Sequence, residues 1–243
     1  MRNFLILFFS QFLFSQETPV EIKKLLNFYP QVSFFKDNKL FFKDGSSLIY
    51  DDGKQKSEKL LLENPDIEDQ FHYEYNNSKP GINDAGRIRN EDFFKKIYGN
   101  TKNEVEKNLT EIVWCPKLVN QKIKVTKING IDKIIKRLSK ELDENPELKP
   151  YITNIAGTFN WRKIAGTNRL SMHSYGMTID VNTSLSNYWQ WDCKCINENS
   201  KLKYKNRIPL KLIQIFEKHG FIWGGNWYHY DTMHFEYRPE LLN

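Results

Sequence analysis

Two short stretches near the C-terminal end constrain this chain more than anything else in it. They are Ser171-Met-His-Ser-Tyr-Gly-Met-Thr-Ile-Asp180 and Asp231-Thr-Met-His-Phe-Glu236. The first carries His173 and Asp180, seven positions apart, and the second carries Asp231 and His234, three apart. Two imidazoles and one carboxylate are a donor set of open catalytic zinc sites, which keep a fourth position for water. A further carboxylate near that water supplies a general base. The sequence offers one residue for each role: His173, Asp180 and His234 as ligands of Zn2+, and Asp231 as the base. Any fold compatible with this reading must bring a loop near 173 and strands near 180 and 234 to one point.

Three details favour convergence over three unrelated side chains. Gly176 lies between the first two ligands, where a tight bend lets a loop histidine and a strand aspartate face the same place. Asp180 interrupts an apolar strand, and a buried carboxylate is costly unless a cation compensates it. Asp231 is close enough to His234 to reach a water rather than the metal. Taken singly, a loop histidine, a turn carboxylate and a core histidine are unremarkable; taken together and in this order they are not.

The Ser-x-His-x-x-Gly-x-x-x-Asp stretch, a Trp223-Gly-Gly-x-Trp227 turn and Asp-x-Met-His-Phe-Glu together resemble peptidase family M15. That family holds zinc-dependent D-alanyl-D-alanine carboxypeptidases and dipeptidases, and endolysins that cut L-alanyl-D-glutamate. The resemblance covers about Thr153 to Glu236. It implies His173, Asp180 and His234 as ligands and Asp231 as base; the endolysin-like branch has aspartate there and the dipeptidase branch glutamate. It also implies a supporting or substrate-contacting role for Ser171. An arginine upstream of the first motif would hold a substrate carboxylate or carbonyl, with Arg162 as first candidate and Arg169 as second. Thr178 departs from the usual alanine and is small enough to leave the site intact. The implied fold is a small Hedgehog/D,D-peptidase-like zinc domain with an antiparallel sheet. The implied activity is hydrolysis of peptidoglycan stem peptides, as D-alanyl-D-alanine carboxypeptidase or as L-alanyl-D-glutamate endopeptidase. Because the Hedgehog signalling domain shares that fold, a non-catalytic zinc-bearing wall-binding protein is the rival, and Asp231 argues against it.

Around these motifs, His229 and Glu236 are candidates to support the base or orient His234. Trp223 and Trp227 read equally as an apolar wall beside Asp231 and as core. His219 ends a helix, where a cation suits the dipole, and His72 reads as structural.

The N-terminus adds a compartment. Met1-Arg2-Asn3 followed by the apolar run Phe4 to Phe14 fits a secretory signal rather than a membrane span. Residues 1–15 are therefore expected to be a signal peptide, and the protein exported, periplasmic or extracellular, with no transmembrane segment after removal. The net charge of +6 is spread over dispersed lysines, with no basic stripe to suggest nucleic acid. Nothing in the sequence sets an oligomeric state. In an oxidising compartment, Cys115 could bridge to Cys193 or Cys195, leaving one free.

The remaining text divides into residues 16–100, an extension of unassigned role, and 101–243, which holds the motifs. Val32–Phe35, Leu40–Phe42 and Ser47–Tyr50 read as short strands, Asn90–Tyr98 as a short helix, and Gly130–Leu142 as an amphipathic helix. Tyr151–Ile155 reads as a strand, Gly157–Arg169 as a loop, and Gly176–Val181 as a strand. Pro209–Lys218 reads as a helix, Phe221–Trp227 as a turn, and Met233–Tyr237 as a strand. Helices and short strands without a βαβ rhythm predict an α+β fold.

Overall fold

The computed structural model describes residues 18–76 and 78–242; the expected signal segment, residues 1–15, lies outside them. The chain mixes helices with small antiparallel sheets, as an α+β fold does. No helix among the described residues is long and apolar enough to cross a membrane.

Helix α1 (Val20–Phe28) leads into a three-stranded meander, β1 (Val32–Lys36), β2 (Lys39–Phe42) and β3 (Ser47–Ile49). Asp37 and Asn38 both take positive φ between β1 and β2, the backbone that matches a tight hairpin to strand twist. Helix α2 (Glu58–Glu63) is capped by Ser57, and α3 (Glu91–Tyr98) by the Asn90 side chain, which accepts from the Phe93 amide at 2.8 Å. After α4 (Lys102–Glu106) comes a hairpin of β4 (Leu109–Trp114) and β5 (Gln121–Thr126). Helix α5 (Ile131–Leu142) buries Ile131, Ile135, Leu138 and Leu142 against it. Helix α6 (Lys149–Ile152) follows, then β6 (Thr178–Asp180), α7 (Trp189–Cys193), α8 (Leu210–Lys218), β7 (Phe221–Trp223) and β8 (His234–Tyr237).

The sheet β6-β8-β7 positions the site. Its register pairs Asp180 with His234 and Thr178 with Glu236, while Ile179 and Trp223 both oppose Phe235. Directly opposed residues share a face, so the sheet is two-sided in character. Phe235 and Ile179 look into the apolar core, where the Phe235 ring stacks at 3.8 Å on Phe216 of α8. Thr178, Asp180, His234 and Glu236 share the other face. That polar face is itself covered, because every residue of β8 is buried.

The main hydrophobic cluster runs from Ile22 in α1 through Phe93, Trp114, Ile135 and Phe216 to Tyr237. Residues before 100 therefore share one core with the motif-bearing residues. Tyr29 donates to Glu240 at 2.6 Å, and Tyr75 to Glu217 at 2.7 Å.

Three sequence expectations are corrected. Tyr151–Ile155 is not a strand: Pro150 sits in the first turn of α6, where its fixed φ favours a helix, and the chain reaches β6 only at Gly157, as a single bridge to Asp180. Phe221–Trp227 is not a turn throughout, since Phe221–Trp223 pairs with β8 as strand β7 and only the residues after it turn. The disulfide joins Cys193 to Cys195, while Cys115 is free and buried.

Candidate metal centre

His173 lies in a single 3-10 turn, Met172–Tyr175, which ends at Gly176 with φ of 66°. A Cβ on Gly176 would stand 2.7 Å from Leu109 Cδ2, so both the backbone and the close approach call for glycine. The turn brings His173 back over the start of β6. Asp180 and His234 are neighbours across the ladder. The ligating atoms of all three residues lie within 4.8 Å of one another.

Hydrogen bonds fix which nitrogen of each ring faces the centre. His173 Nδ1 lies 3.0 Å from the Thr158 carbonyl and 2.8 Å from Thr178 Oγ1, whose hydroxyl donates to the same carbonyl. Nδ1–H is spent there, and Nε2 presents a lone pair to Asp180 Oδ2 at 3.1 Å. His234 Nε2 lies 3.2 Å from Glu236 Oε2, which can only accept, so Nδ1 faces Asp180 Oδ1 at 2.9 Å. Three acceptors directed at each other repel unless a cation sits among them. Two imidazoles and a carboxylate, each ring anchored by its far nitrogen, fit zinc.

The electrostatics agree with the geometry. Burial opposes a charge on His234, yet Asp180 and Glu236 outweigh it and push the imidazole up to about 10. Burial would also raise Asp180, but His173 and His234 hold it well below the usual carboxylate range. Without a metal, the site draws in a proton.

Asp231 ends a loop that pairs with Tyr188 as an isolated bridge. Its Oδ1 is shut off from solvent without a hydrogen-bond partner. Burial and the charge of Asp180 raise its pKa to about 6, against the pull of His234 and His173. It is a carboxylate with a spare oxygen, within electrostatic reach of the three donors.

The other expected residues divide. Glu236, fully buried, supports His234 directly. Trp227 lies 5.6 Å from the His234 ring, and Trp223 donates its indole N–H to the Thr232 carbonyl at 2.9 Å. Both tryptophans are buried, Trp223 on the core face with Phe235 and Trp227 beside His234. Ser171 is buried just before the His173 turn, its amide donating to the Arg162 carbonyl. His229 has both ring nitrogens engaged, by Asp84 Oδ2 at 2.7 Å and the Glu198 carbonyl at 2.8 Å. His219 pairs with Glu141 at 2.8 Å at the end of α8, and His72 packs edge-on against Tyr73. Arg162 is exposed, and among the described residues its guanidinium reaches back to the Lys163 carbonyl at 3.4 Å. Arg169 is half-buried, its Nε without a partner, and burial with the nearby charges of Arg89 and Arg87 lowers it to about 10.

Sequence reasoning passed over the stretch Asp84 to Arg89. Arg89 grips Glu236, and Arg87 pairs with Asp84 and, through two nitrogens, with Glu198. These partners are more than 100 residues away for Glu236 and Glu198, so no local spacing marks them. The only trace is the alternation of Arg87 and Arg89 around the buried Ile88.

Comparison with curated proteins and with solved structures gave no match. Residues 165–237 match the family model described as D-alanyl-D-alanine carboxypeptidase. That span contains His173, Asp180, Asp231 and His234, so the match to this model of peptidase family M15 falls on the four residues gathered at the site, and over that segment the chain is similar to the family.

Proposed function

We propose that the protein is an exported zinc metallopeptidase acting on peptidoglycan stem peptides, removing the last residue as a D-alanyl-D-alanine carboxypeptidase. The observation that carries this reading is the meeting of three facing acceptors, His173 Nε2, Asp180 and His234 Nδ1, near a carboxylate with an unpaired oxygen. The reading takes residues 101–243 as the Hedgehog/D,D-peptidase-like zinc domain, residues 16–100 as its extension, and the apolar N-terminus as the export signal.

Zinc bound by His173, Asp180 and His234 would polarise the scissile carbonyl and ease ionisation of water. The protein's own groups supply the proton path and the positioning. Asp231, ionised at neutral pH, accepts the proton of the attacking water and passes it to the leaving amine. Its raised pKa makes it a better base than an exposed aspartate. Trp227 beside His234 restricts water on one side. Arg169 suits a substrate carboxylate better than Arg162, because its guanidinium is half-buried and incompletely paired. Ser171 holds the turn that carries His173.

Aspartate rather than glutamate at 231 favours a second reading, an L-alanyl-D-glutamate endopeptidase. Mass spectrometry of muropeptides with full pentapeptide stems separates the two. Chelator-sensitive loss of one terminal alanine, absent in Asp231→Asn, supports the carboxypeptidase. Cleavage after the first alanine supports the endopeptidase. Zinc binding with every stem left intact would leave a wall-binding protein.

A further inference from the structure

Glu236 is fully buried two residues beyond His234, and its carboxylate is held from two sides. Arg89 donates through Nε to Oε1 at 3.1 Å and through Nη2 to Oε2 at 2.6 Å. Arg238 donates to Oε1 at 3.0 Å, but its own Nε is committed to Glu240. Oε2, the oxygen that receives His234 Nε2, is therefore held by Arg89 and not by Arg238. The same guanidinium lies 5.4 Å over the Trp227 ring, and Trp227 lies 5.6 Å from the His234 ring. Trp227 is tied in turn to the Ala85 carbonyl at 2.6 Å. The segment around Ala85 to Arg89 thus fixes His234 twice, through the carboxylate at its far nitrogen and through the indole beside it.

We propose that Arg89, outside the segment that matches the peptidase family, is a positioning residue for the metal. It locks Glu236 in the conformer that keeps His234 Nδ1 directed at the centre. A bidentate guanidinium sets both carboxylate oxygens in one plane, which the single ammonium of lysine does not. Without it Oε2 is free to turn away, and the imidazole loses the acceptor that orients it. The site is then assembled by two distant parts of the chain. This inference rests on the zinc reading above.

The test is zinc affinity of the purified full-length protein, by competition with a chromophoric chelator, for wild type, Arg89→Met, Arg89→Lys and Tyr29→Phe. Cobalt(II) absorption of each protein reads ligand geometry independently of activity. Loss of an outer hydrogen-bond partner costs about 10–100-fold in metal affinity. Arg89→Met is expected to weaken zinc by that amount and to alter the cobalt bands, with Arg89→Lys intermediate. Tyr29→Phe, which loosens the docking of α1 at Glu240 without touching Glu236, should bind zinc as wild type does. A folded Arg89→Met protein with wild-type zinc affinity overturns the proposal, as does equal weakening by Tyr29→Phe. If Arg89→Met does not fold, Arg89→Lys decides by the same comparison. A wild-type protein that binds no zinc at all would instead remove the metal reading.

Discussion

Asp180 and His234 are cross-strand partners, and the carboxylate of one lies 2.9 Å from the ring of the other. A single ladder pair therefore supplies two of three donors, and the His173 turn supplies the third. Replacing His234 with alanine should cost zinc affinity by more than about 100-fold, the upper range for an outer contact, and abolish alanine release. Metal content after dialysis, read beside activity, checks both losses.

As the proposed base, Asp231 should set the acid side of the pH profile. With its pKa pushed up to about 6, the base is protonated and idle below that value and ionised above it. A bound cation nearby favours the ionised form and moves the limb lower. kcat/KM should rise with pH through a limb at or below pH ~6. Asp231→Asn should lose about 10^2–10^4 in rate while retaining zinc. A limb unchanged in position in a variant with residual activity would exclude Asp231 as its source.

Asp84 makes stability fall in acid. Burial raises its pKa, but Arg87 and His229 outweigh that and hold it down at about 2. A depressed folded pKa means that the stabilisation is complete above the unfolded value, near 4, and fades as pH drops through about 2. The difference is worth ~2 kcal/mol. Thermal melts from pH 6 to 2 should therefore fall less steeply for Asp84→Asn than for wild type.

The cysteines should label in two classes. Burial pushes the Cys115 thiol up to about 12, and Cys193 and Cys195 are bonded to each other, so the native protein should react with no iodoacetamide. Mild reduction should expose two thiols, and unfolding the third. Because the bridge closes a very short loop, losing it should cost only about 1–2 kcal/mol by chain entropy.

Gly176→Ala should destabilise by about 1–3 kcal/mol through backbone strain, with more from contact with Leu109. Denaturant midpoints measure this, and zinc affinity should fall with it because the same turn carries His173.

The sequence by itself marked out the candidate site. His173, Asp180, Asp231 and His234 stand out because the residue types that can bind a metal or act as a base are few, and because each pair lies within a few positions of chain. Alternation along β6 and β8 was legible because a polar face at the site backs onto an apolar face in the core, although both are largely buried, and the spacing of α5 because burial on one face leaves a periodic trace. Tyr151–Ile155 was misread because its apolar residues suit either structure and Pro150 decided for the helix. The hairpin β4–β5 gave no usable signal before its partner strand was seen. Only the tertiary structure decided what holds the ligands. Arg89, Asp84 and the ordering of Glu236 depend on contacts across well over 100 residues of chain, and a long-range ion pair writes no period into the sequence. The preference proposed for Arg169 over Arg162 likewise rests on burial, and burial of a single loop side chain is a property of the packed molecule.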